Sequence, residues 1–121
     1  MNKAFVRLEN RNDNHNKFYE MSILQKNHLF DVVVKYGRID TEGKTIYLRS
    51  PKLRTHEAKG IYADEARQVF LEQLKKKFRD KEYTLMDLST NDEGFKTDIE
   101  NVQSEFDGYN AIAVRLEERG F

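Results

Sequence analysis

The sequence predicts an α+β fold: an antiparallel β-sheet meander of four or five strands packed on one main helix, with a C-terminal helical extension. Three observations carry that expectation. Before Pro51, the only proline, runs of β-branched and aromatic residues alternate with brief polar turns, as hairpin-linked strands do. Between Ile61 and Asp80 the apolar residues fall at helical spacing, one face of a long helix. Further on, Phe95, Ile99, Val102 and Phe106 recur at steps of four, three and four, an amphipathic helix of about three turns.

The elements follow in order. "AFVRLE" (Ala4 to Glu9) alternates as a short strand, and "NRNDNHN" (Asn10 to Asn16) is a loop of turn-forming residues. "KFYEMSIL" (Lys17 to Leu24) reads as a second strand, and "QKNH" turns into a third, "FDVVVKYGRI" (Phe30 to Ile39). Across "DTEG", "TIYLRS" (Thr45 to Ser50) supplies the fourth, with polar residues closing on a glycine as hairpins require. The main helix places Tyr62, Ala66, Val69, Phe70, Leu74 and Phe78 on its apolar face. Lys75, Lys76, Lys77, Arg79 and Lys81 crowd its last turns, where cations complement the helix dipole. "YTLMDLS" (Tyr83 to Ser89) is a candidate edge strand, and Gly108 is the expected end of the second helix. "NAIAVRLEERG" reads either as a final helix capped by Gly120 or as a strand carrying Ile112, Val114 and Leu116.

Length and composition set bounds. A chain of 121 residues suits one domain with a core just large enough to fold unaided. It divides into residues 1–83, the sheet and main helix, and residues 84–121, an acidic extension expected to pack on the same domain. Cysteine is absent, so disulfides and thiolate metal sites are excluded and a cytoplasmic setting is expected. No apolar run nears the ~20 residues of a membrane span, and "MNKAFVRLEN" lacks the apolar stretch of a signal peptide. A formal net charge of zero hides a split. Residues 1–81 hold 18 Lys and Arg against 11 Asp and Glu, and residues 82–121 hold 3 against 10. That is a basic body with an acidic extension.

Catalytic chemistry finds little support. "GKT" (Gly43 to Thr45) invites a phosphate-binding loop, but the first glycine of that motif would fall at position 38, which is Arg38. The segment after it also reads as a strand, where a phosphate loop needs a helix. His15, His28 and His56 sit in separate polar segments without metal-ligand spacing. No serine has a nucleophile motif around it. "EGK" (Glu42 to Lys44) mimics the E-x-K of metal-dependent nucleases, with Asp31 as the further acidic ligand, but a turn is the wrong place for such a site. The expectation is no enzyme, no cofactor and no metal.

The ordered set "NKFYE", "YGRI", "EGK" and an Ala…Phe helix ending "RDKEY" resembles the WGR domain, named for its Trp-Gly-Arg. That domain occurs in DNA-damage-responsive poly(ADP-ribose) polymerases and in bacterial proteins. The resemblance covers about Phe5 to Tyr83, with Asn16 to Tyr19 and Gly37 to Ile39 at near-family spacing. The helix pattern fits either Ala66, Phe70, Leu74 and Lys77 or Phe70, Leu74, Phe78 and Lys81. The family tryptophan is Tyr36 here, and the acidic extension has no counterpart in the minimal domain. In polymerase members the Trp and Arg lie near a DNA end, so the resemblance implies Tyr36 as a stacking ring and Arg38 as a phosphate or sugar contact.

The expected function is a nucleic-acid-binding module, for DNA more than RNA, acting at ends or along the backbone. The alternative is a protein-interaction module that uses the sheet or the acidic extension. Besides Tyr36, Gly37 and Arg38, the candidate contacts are Lys35, Arg49, Lys52, Arg54 and Lys17. Residues 35–60 hold seven Lys and Arg against three Asp and Glu, and phosphate contacts of this kind give affinity without sequence preference. Whether Tyr36 stacks on a ligand or lines the core is open, because alternation does not say which face it occupies.

Overall fold

In the computed structural model the backbone is described for residues 2–11, 16–81 and 83–118, and side chains for 3–11, 16–79 and 83–106. The elements are β1 (Asn2–Asn10), β2 (Lys17–Lys26), β3 (Leu29–Arg38), β4 (Lys44–Tyr47), α1 (Ala63–Lys81), β5 (Thr84–Thr90) and α2 (Glu93–Glu118). The strands form one antiparallel sheet in the order β4-β3-β2-β1-β5. Strands one to four are the meander the short connections predict. After α1 the chain returns on the far side of the sheet, where β5 becomes the edge beside β1. No described helix is long and apolar enough to cross a membrane.

Strand alternation sorts the side chains. Ala4, Val6 and Leu8 of β1, Tyr19, Met21 and Ile23 of β2, and Val32 and Val34 of β3 are buried on one face. Both helices lie over that face. α1 contributes Ala66, Val69, Phe70 and Leu74, and α2 contributes Phe95, Ile99 and Val102. Phe70 meets Phe95 at 5.4 Å between ring centroids, and Phe78 meets Phe106 at 5.8 Å. The two helices therefore run in the same direction.

Helix ends explain where spacing alone misplaces residues. Tyr62 fits the apolar stripe by spacing, yet it is 71% exposed. It precedes α1, its N–H donates to Glu65 Oε1 at 3.3 Å, and its carbonyl accepts from Ala66 N–H. That is the capping position, turned outward. At α2, Asp92 accepts from Phe95 N–H at 2.9 Å and ion-pairs with Arg67 of α1. The backbone bond and then the guanidinium hold its carboxyl below the ordinary range. Gly108 does not end α2, which continues to Glu118, so the segment Tyr109 to Glu118 is helical. One interior glycine costs a helix only ~1 kcal/mol, which flanking helix formers offset.

The segment after β4 closes the edge of β3. Leu48 N–H donates to Val32 O, Val32 N–H to Ala58 O, and Phe30 and Ile61 exchange both backbone bonds. Leu48, Leu53, Ala58 and Ile61 are buried beneath it. Asp31, itself buried, accepts from Gly60 N–H at 2.8 Å and ion-pairs with Lys26 at 3.1 Å.

Candidate nucleic-acid interface

The "YGR" stretch ends β3, where the chain turns tightly into β4. Arg38 is the last strand residue, and its carbonyl accepts from both the N–H and the hydroxyl of Thr41, at 3.2 and 2.7 Å. Ile39 N–H donates to Asn16 O at 2.9 Å, which ties the turn to the start of β2. Asp40 and Gly43 have φ of 74° and 72°, a region that glycine enters freely and aspartate tolerates.

Gly37 and Gly43 sit back to back. A Cβ on Gly37 would lie 2.8 Å from Gly43 Cα. One on Gly43 would lie 2.5 Å from the Tyr36 carbonyl oxygen and 2.7 Å from Phe18 Cζ. No real Cβ fits at those distances, so the middle residue of "YGR" has a packing reason to be glycine. Phe18 seals the contact on the sheet face away from the helices. The Arg7 guanidinium lies 4.7 Å from its ring centroid, bonded to Glu20 at 2.7 Å and Glu9 at 3.0 Å. The bond to Glu20, with that to Glu9, raises the Arg7 pKa, and Arg7 and Arg11 hold the Glu9 carboxyl low. A clamp of this kind leaves the turn little freedom.

Register decides which side chains share a face. Tyr36 pairs with Tyr19 on β2 and Lys44 on β4, Arg38 pairs with Lys17, and Val34 pairs with Ile46. These residues therefore share the helix-side face. The two tyrosines fare differently on it. Tyr19 is 6% exposed, its hydroxyl accepts from Gln73 at 2.9 Å, and Lys77 Nζ lies 4.3 Å from its ring centroid. The Tyr83 ring packs at 6.2 Å on the same cluster. Burial pushes the Tyr19 phenol up to about 12. Tyr36 and Ile46 each remain 38% exposed, so the β3–β4 corner lies open beyond α1.

The candidate residues separate by face. Lys17, Tyr36 and Arg38 come together at the open corner. Lys35 pairs with Glu20 and Thr45, on the face away from the helices. Lys52 is held by Glu72 of α1 at 2.6 Å. Arg49 bridges to Glu57 through the backbone, and Arg54 is exposed in the turn between them. Sequence reasoning left out Lys44, which stands opposite Tyr36, and Tyr19, Gln73 and Lys77 beside it. The signal for Lys44 was the turn chemistry: a turn closing on Gly43 puts the next residue across from Tyr36. Lys17, Arg38 and Lys44 have no ion-pair partner among the described residues.

The remaining candidates lie elsewhere. His28 sits in the β2–β3 turn, His56 in the loop after β4, and His15 outside the described residues. Asp31 lies five residues up β3 from Tyr36, the partner of Lys44, a separation of roughly 17 Å at ~3.3 Å per residue. Among the described residues, no three His, Asp or Glu could jointly hold a metal ion. A groove of about 480 Å³ opens between the starts of α1 and α2, lined by Lys3, Ile23, Phe30, Arg67, Asp92 and Phe95 among others. It lies at the opposite end of β2 from Tyr19.

The fold and the corner together define a small α+β binding module, with a cation-flanked aromatic ring held on a locked hairpin. The WGR domain family model matches residues 2–84, most of the chain, and the chain belongs to that family. The family is in general a nucleic-acid-binding module. No curated protein and no solved structure matches the chain significantly.

Proposed function

We propose that this protein binds DNA through the open corner of its sheet, at an end or along the backbone, and that it is not an enzyme. One observation carries the reading: the exposed Tyr36 ring stands among Lys17, Arg38 and Lys44, three cations without ion-pair partners among the described residues, on a hairpin closed by glycine packing. Cations that are already paired must give up a partner to bind phosphate, and these three need not. Tyr36 and Arg38 are the central contacts, and Gly37 keeps them in place. Arg49, Lys52 and Arg54 supply a second basic stretch beside α1. Lys35, on the opposite face, serves a duplex that reaches round the sheet edge.

The working unit on this reading is residues 1–83, with 84–121 as an acidic extension packed on the same domain. Supporting that packing, β5 pairs with β1 and the Phe95 ring meets that of Phe70 at a tilt. A cytoplasmic setting rests on the absence of cysteine. DNA is favoured over RNA because of the company the family keeps in DNA-damage-responsive polymerases.

The test is a titration of a short duplex across salt concentration. The three corner cations alone predict log affinity falling against log salt with a slope of roughly −2.7, and contacts from the second basic stretch steepen it. A flat salt response would remove the reading. A second reading has its own observation: Glu93, Asp98, Glu100 and Glu105 all lie exposed on α2, a surface suited to a basic protein partner. Capture of a partner protein that survives nuclease treatment and is lost on reversing those charges would favour it.

A further inference from the structure

We infer that the corner takes an unpaired nucleotide strand, such as the overhang of a frayed or resected end, and does not stop at the duplex backbone. The inference rests on the DNA reading above and goes further, to the form of nucleic acid recognised. Tyr36 and Ile46 stand on adjoining strands, on one face, in diagonal register, since Tyr36 pairs with Lys44 and Val34 with Ile46. Diagonal neighbours lie about 7–8 Å apart, and each of these two is 38% exposed. They form two adjacent apolar steps.

A phosphate backbone has no use for such steps. Lys17, Arg38 and Lys44 alone would satisfy it, and the flat faces of duplex bases are hidden by their neighbours in the stack, except for the outer face of the terminal pair. A blunt end therefore has a face for one exposed ring, whereas an overhang adds free bases that can lie against further apolar steps. The second step extends the platform past one residue, so a strand with more than one free base gains from both. The cations fit the same path. Lys17 and Arg38 lie beside Tyr36 towards the strand end, and Lys44 stands directly across from it on β4, two residues before Ile46. A backbone entering over Lys17 and Arg38 meets positive charge as far as Tyr36 and Lys44, and its bases then continue onto apolar Ile46 opposite Val34, while the glycine clamp holds the first step in place.

The experiment compares three fluorescent hairpin duplexes by anisotropy: one blunt, one with a short 3′ thymidine overhang and one with a 5′ overhang. The wild-type protein should bind at least one overhang about tenfold tighter than the blunt duplex, as one added stacking contact implies. Ile46→Thr, which keeps a β-branched residue in the strand, should erase a large part of that preference. It should leave blunt-duplex affinity and the melting temperature unchanged. Equal affinity for blunt and overhang duplexes, both weakened by Arg38→Ala, would overturn the inference while the DNA reading stands. An overhang preference that Ile46→Thr leaves intact would likewise overturn the two-step platform. Absence of binding to all three duplexes would overturn both.

Discussion

Tyr19 and Tyr36 face each other across the β2–β3 ladder, and the sheet uses them for opposite purposes. Tyr19 lies beneath α1, with its hydroxyl on Gln73 and its ring under Lys77. One strand further out, Tyr36 has lost that cover. The same residue type, on the same face, is core in one place and surface in the other, because α1 crosses the sheet without reaching the β3–β4 corner. The difference teaches that a strand-end aromatic is assigned by the reach of the covering helix, not by alternation. The cations differ likewise. Lys77 is occupied with two rings, whereas Lys17, Arg38 and Lys44 face solvent.

The largest expected effect is on the covered side. Tyr19→Ala should destabilise the fold by ~3–5 kcal/mol, as large-to-small aromatic changes in a core do, and it strands the Gln73 amide. Chemical denaturation would show it as a lowered midpoint. A loss below about 1 kcal/mol would mean Tyr19 is not the core member its burial indicates. Next comes the clamp. Gly43→Ala forces a side chain into a left-handed backbone, worth ~1–2 kcal/mol by itself, and drives its Cβ against the Tyr36 carbonyl. Both melting temperature and DNA affinity should fall, since the turn that orients Arg38 must shift. Unchanged values for both would deny the clamp its role.

On the open side the expected losses are in binding. Arg38→Ala should weaken DNA binding by ~1.5–3 kcal/mol, the worth of a charged hydrogen bond, with little change in melting. A sharper comparison sets Lys44→Ala against Lys35→Ala. These lysines are near in sequence but stand on opposite faces, so the first should reduce the salt slope by about 0.9 and the second by much less. Equal effects would show that DNA contacts both faces.

The smallest effect is a pH response of the covered tyrosine. Burial raises the Tyr19 phenol to about 12, above the ~10 of an unfolded chain, so the folded state holds that proton more tightly. Its stabilising contribution is complete below pH 10 and is lost as pH rises towards 12. Tyr19→Phe should flatten stability over that window. An unaltered alkaline profile in that variant would place the sensitivity elsewhere.

Much of this was legible in the chain. Hairpin chemistry gave the meander, helical spacing gave α1 and the first half of α2, and "YGRI" located the turn. Faces were harder. The run Val32-Val33-Val34 is apolar at every position, so alternation groups Tyr36 with Val34 but could not say whether their face or that of Val33 was the core. Lys44 was passed over because its place opposite Tyr36 depends on register, which a positive φ at Asp40 and Gly43 sets. Lys35 looked equivalent to Arg38 in sequence, but three positions apart on a strand puts them on opposite faces. Tyr62 fitted a helical stripe that begins one residue later, and Gly108 was outweighed by the helix formers on either side.

The most direct test of the central claim is Tyr36→Ala, with DNA affinity and thermal melting measured on the same preparation. An exposed stacking platform predicts binding weakened by ~1–3 kcal/mol while the melting curve stays close to that of the wild type. A large fall in melting temperature, with full affinity retained by the folded fraction, would contradict it and return Tyr36 to the core beside Tyr19.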